Sequence, residues 1–60
     1  MEVAVSLWLR RFGGRALPDD DDNLALLLVD EAPDDANVIL DAVRAASYAE
    51  FVAAVTMSRH

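Results

Sequence analysis

The chain has 60 residues, 55% of them hydrophobic, a net charge of −6 and no cysteine. That length holds one small domain, residues 1–60, with a marginal core, since only about 60% of the unfolded surface can be buried. Disulfides and thiolate metal sites are excluded, one histidine (His60) is too little for structural zinc, and the acidic excess disfavours DNA, RNA and anionic membranes while favouring a basic protein surface.

Eleven alanines and eight leucines against two glycines and two prolines favour helices over strands. The apolar content also argues against disorder. Residues 2–12 fit two patterns. Val3, Val5, Leu7 and Leu9 alternate with Glu2, Ala4, Ser6 and Trp8 as in a strand, while Val5, Trp8, Leu9 and Phe12 share one face of a helix. End chemistry favours the helix: Glu2 near its start, Arg10 and Arg11 near its end, and Gly13 or Gly14 for a left-handed stop.

Arg15 to Asp22 reads as a loop containing Pro18, after which a later aspartate or Asn23 caps a second helix. Leu24, Leu27 and Leu28 mark its apolar face, although the uninterrupted run Leu24–Val29 also fits a buried strand over 24–30. Six adjacent apolar residues cannot all face one small core, so this run is also a candidate self-association seam. It is far below the ~20 residues needed to span a bilayer. Pro33 is expected to close the element.

From Asp34, a third helix places Ala36, Ile39, Leu40 and Val43 on one face. Ser47-Tyr48-Ala49-Glu50 matches a capping box that opens a fourth, with Tyr48, Phe51, Val52 and Val55 as its stripe. The expected fold is all-α, a compact bundle of about four short helices. The alternative is α+β, with an N-terminal two-stranded hairpin packed on two helices.

The charge is unevenly placed: residues 1–18 carry a balance of +2, residues 19–58 a balance of −9, and Arg59 brings the total to −6. Two acidic sets are the candidate partner-binding residues, Asp19, Asp20, Asp21 and Asp22 in one and Asp30, Glu31, Asp34 and Asp35 in the other. Each set has a plain reading as helix-end chemistry and solvation, and a functional one in which spaced carboxylates imitate duplex phosphates on a basic partner. A cation loop of the EF-hand kind is a poor fit, because it needs alternating oxygen ligands, a central glycine and a distant glutamate. Adaptation to a high-salt cytoplasm would explain the acidity with no partner at all.

Other constellations are thin. The helix pair over 35–58 invites a helix-turn-helix reading, but its second helix offers Glu50, Thr56 and Ser58, with Arg59 only at the end. Trp8 and Phe12 beside Arg10, Arg11 and Arg15 are either core anchors under a solvated face or an interface hot spot. The hydroxyls of Ser6, Ser47, Thr56 and Ser58 have no internal histidine to activate them, and Gly13-Gly14 is no phosphate loop, so neither an enzyme nor a cofactor is expected. Val3 to Leu9 follows Glu2 rather than a basic region and lacks a convincing cleavage site, so a cytoplasmic location is expected.

In size, acidity and lack of catalytic groups the whole chain resembles small phage-encoded inhibitors of bacterial defence, the anti-CRISPR proteins. The resemblance is one of character without a motif, and no family residues carry over. It implies an inhibitor in the host cytoplasm that blocks DNA binding by a CRISPR effector complex, by steric cover or as a DNA mimic, without binding nucleic acid itself. The competing expectation is a self-associating structural subunit or an antitoxin-like adaptor, a monomer or small homo-oligomer whose acidity serves solubility.

Overall fold

Helix-favouring composition and the end signals divide the chain into α1 (Glu2–Phe12), α2 (Asp21–Glu31), α3 (Pro33–Ala45) and α4 (Tyr48–Ser58), in a computed structural model that describes residues 1–59. Among the described residues there is no strand, so the helical reading of 2–12 and 24–30 holds and the hairpin alternative fails. His60, dismissed above as a zinc ligand or base, lies outside the described residues.

The helix ends follow the local chemistry, with three refinements. Gly13 stops α1 and its N–H donates to Leu9 O at 2.8 Å, but with φ 57° and ψ −126° it occupies the mirror-β region, which glycine alone reaches without strain, rather than the left-handed helical one. Pro33 does more than end α2. It is the first residue of α3, where its fixed φ suits the helix and its missing N–H has no intrahelical role. Only the buried Ala32 separates the two helices, so α3 begins a residue earlier than Asp34. At α4 the serine half of the capping box forms, Ser47 Oγ accepting from the Glu50 N–H at 3.1 Å, while among the described residues the Glu50 carboxylate makes no return bond.

Helix α3 is central and packs against each of the other three, burying Ala36, Ile39 and Val43. Around it α1 contributes Ala4, Val5 and Trp8, α2 contributes Leu24 and Leu28, and α4 contributes Phe51 and Val55. Trp8 has no exposed surface, stacks on Phe12 at a centroid distance of 4.2 Å and meets Phe51 edge-on at 6.5 Å. It is therefore a core anchor, and large aromatics of this kind dominate the energetics of so small a core. Its Nε1–H finds no hydrogen-bond partner among the described residues, a cost of about 1–3 kcal/mol that the packing must offset. Phe12 is half-buried, with the Arg15 guanidinium 5.8 Å from its ring centre. The radius of gyration is 10.0 Å, and no helix among the described residues is long and apolar enough to cross a membrane.

Two polar ties hold the loops to the bundle. The Tyr48 hydroxyl donates to Pro18 O, which fixes the loop ahead of α2 against the start of α4. The Arg59 guanidinium donates to Gly14 O and, at 3.0 Å, to Arg15 O, joining the end of α4 to the turn after α1.

Candidate functional site

The first acidic set sits at the start of α2. Asp20 is the N-cap: its backbone is extended and its Oδ1 accepts from the Asn23 N–H at 2.9 Å. Asp19 precedes it on the loop, and Asp21 and Asp22 occupy the first turn, all exposed. Carboxylates here oppose the positive end of the helix dipole and are favoured.

The second set is split between two helix ends. Asp34 and Asp35 lie in the first turn of α3, again the favourable end. Asp30 and Glu31 lie in the last turn of α2, which has no basic residue and where a negative charge faces the negative end of the dipole. Glu31 is offset by Arg15, whose Nη1 donates to both carboxylate oxygens at 3.0 and 3.2 Å. Asp35 Oδ2 accepts from Arg11 Nε at 3.2 Å. Asp30 has no such partner among the described residues.

The structure thus brings the eight expected residues together only in part. Asp20 caps, and Glu31 and Asp35 hold α1 and its turn to the α2–α3 corner. Along α2 the nearest members of the two sets, Asp22 and Asp30, stand eight residues apart, about 12 Å along the axis. No group of three described acidic side chains converges into a cage for a cation. Asp19, Asp21, Asp22, Asp30 and Asp34 make no ion pair or cap among the described residues.

Helix α2 also reveals what inspection of the acidic sets missed. Leu24 and Leu28 are fully buried, yet Leu26 is 70% and Val29 63% exposed. They share the outward face with Asp22 and Asp30 and, with Ala25, line one shallow open depression. The signal was legible: Asp22, Leu26 and Asp30 stand at i, i+4 and i+8, one ridge of a helix, with Ala25 and Val29 on the next. Asp22 belongs to this ridge as much as to the run of aspartates beside it in the sequence.

A second depression lies between α1 and α4 and carries Glu2, Ser6, Leu9 and Ser58 at its walls. It holds one carboxylate and two hydroxyls and no cationic side chain. Partial burial, then the carboxylates of Asp20, Asp19 and Asp21, raise the phenol of Tyr48. On the outward face of α2, exposed Leu26 and Val29 lie between two exposed carboxylates, an arrangement that folding itself does not explain. No family model, curated protein or solved structure matches the chain.

Proposed function

We propose that this chain is a small acidic protein-binding inhibitor that covers a basic, nucleic-acid-binding surface on a larger partner, of the kind a CRISPR effector complex presents. The observation that carries the reading is Asp30. A carboxylate at the wrong end of a helix, with no ion pair among the described residues to offset it, breaks a local rule of helix stability. Such breaks are expected where function, not folding, selects the residue. Asp22, on the same outward face, adds a second charge for a cationic partner to meet.

The geometry favours contact at one face over imitation of a long phosphate strip. Three of the eight candidate carboxylates are engaged within the molecule, and the remainder are divided between the two ends of α2. Steric cover anchored by a few charges needs no regular spacing; mimicry of a duplex backbone does. The self-associating subunit remains the second reading because Leu26 and Val29 are exposed together.

The test is a tagged capture from nuclease-treated bacterial lysate, with the bound proteins identified and challenged with duplex DNA. A nucleic-acid-binding complex displaced by DNA is the expected outcome. A partner that DNA leaves in place, or recovery of this chain alone, would overturn the reading.

A further inference from the structure

The geometry points to the outward face of α2 as a docking ridge for a cationic amphipathic helix of the partner, an inference that rests on the basic-partner reading above. Leu26 and Val29 form its apolar centre, and Asp22 and Asp30 close it at either end. The two carboxylates are eight residues apart on one ridge, about 12 Å along the axis. A helix laid alongside would meet them with two cations about seven or eight residues apart and fill the space between with apolar side chains at its own i+3 and i+4 positions.

Charge decides between that occupant and a second copy of this chain. An antiparallel pair of α2 helices centred on Leu26 would set Asp22 of each copy against Asp30 of the other, between two molecules that each carry −6. A stable dimer also buries about 800 Å² per partner. That is roughly one fifth of the whole 3834 Å² surface, far more than five side chains of one helix face provide. A cationic helix turns the same two carboxylates from repulsive to attractive and needs the apolar strip only as an anchor.

The probe is a synthetic peptide of about 15 residues with arginines and leucines in that register, titrated into the isotopically labelled full chain and followed by amide chemical shifts and calorimetry. A peptide of the same composition, shuffled so that its cations and leucines no longer share a face, is the control. The amphipathic peptide is expected to move the amides of residues 22–30 and to bind at least about tenfold more tightly than the shuffled one. Leu26→Gln with Val29→Gln, at exposed positions, should leave the circular dichroism spectrum unchanged and remove that advantage. Asp22→Asn with Asp30→Asn should weaken binding and flatten its salt dependence.

The inference and the reading beneath it fail differently. If both peptides bind alike and the glutamine variant changes nothing, charge alone attracts the partner; the ridge is refuted and the basic-partner reading survives. If neither peptide binds, both fall. If the unliganded chain self-associates and the glutamine variant abolishes this, the occupant is a second copy and the inference is overturned.

Discussion

Helices α2 and α3 are neighbours of 11 and 13 residues, both carry two aspartates in the first turn, and they are joined through a single alanine. They differ in how their side chains are divided. In α3 the large apolar residues point inward, Val38 at 44% exposure being the exception, while Asp34, Asn37, Asp41 and Arg44 face solvent. Its charges also follow the dipole, acidic at the start and Arg44 at the end. In α2, leucines are buried on one face and exposed on the other, and the charge at the C-terminal end is the wrong sign. Apart from Val38, α3 is accounted for by folding this domain. Half of α2 is not, and that half is where the functional residues are proposed to lie.

The comparison breaks first if the two faces of these helices are energetically alike. Ile39→Ala removes a fully buried side chain from the central helix and should cost about 2–5 kcal/mol in urea unfolding. A domain this size has a total stability on the order of 3–9 kcal/mol, so the loss removes a large share of it. Leu26→Ala, the same kind of truncation on the outward face of α2, should change stability by less than about 0.5 kcal/mol. A loss at Leu26 comparable to that at Ile39 would mean that α2 is buried in solution and the ridge does not exist.

A second test asks how firmly α2 is held at its start. Tyr48 donates to Pro18 O, and its phenol is raised above its ordinary value near 10 by partial burial and then by Asp20, Asp19 and Asp21. The fold therefore favours the neutral phenol. Its contribution is complete below about pH 10, the unfolded value, and is lost as pH rises through the raised folded value. Thermal unfolding should show the loss only on that alkaline side. Tyr48→Phe should remove this dependence and cost about 0.5–1.5 kcal/mol for the missing hydrogen bond at neutral pH. If the variant kept the same alkaline decline, the tie between α4 and the aspartate loop would not govern it.

Much of the fold was legible because its signals are local. Asp20 and Ser47 are caps, Gly13 is a stop, and the stripe through Ala36, Ile39 and Val43 repeats at helical spacing. The region 2–12 was ambiguous because alternating and helical patterns overlap over so short a stretch; its end chemistry favoured the helix, in which Trp8 stacks on Phe12 one turn on and meets Phe51 of α4. The site was less legible for a different reason. Which carboxylates are engaged depends on Arg11 and Arg15, 24 and 16 residues away from their partners, and no sequence window joins them. The inward face of α2 was legible, since Leu24 and Leu28 are buried and Leu27 packs partly against the core, as their spacing indicates.

The smallest effect expected sharpens the comparison most. Asp30→Asn and Asp34→Asn make the same chemical change four residues apart, at opposite kinds of helix end. Neutralising Asp34 removes a favourable charge from the start of α3 and should destabilise the protein by about 0.3–1 kcal/mol; neutralising Asp30 removes an unfavourable one from the end of α2 and should stabilise it by a similar amount. Both shifts are readable as displaced urea midpoints with an unchanged slope. In partner binding, the stabilised Asp30→Asn variant should lose affinity, because the charge it lacks served the partner and not the fold. A residue retained against the stability of its own helix, and needed for binding, is the signature that separates a functional carboxylate from one that merely solvates. If Asp30→Asn lowered stability as Asp34→Asn does, then Asp30 would be doing structural work, and the asymmetry between α2 and α3 would lose its functional meaning.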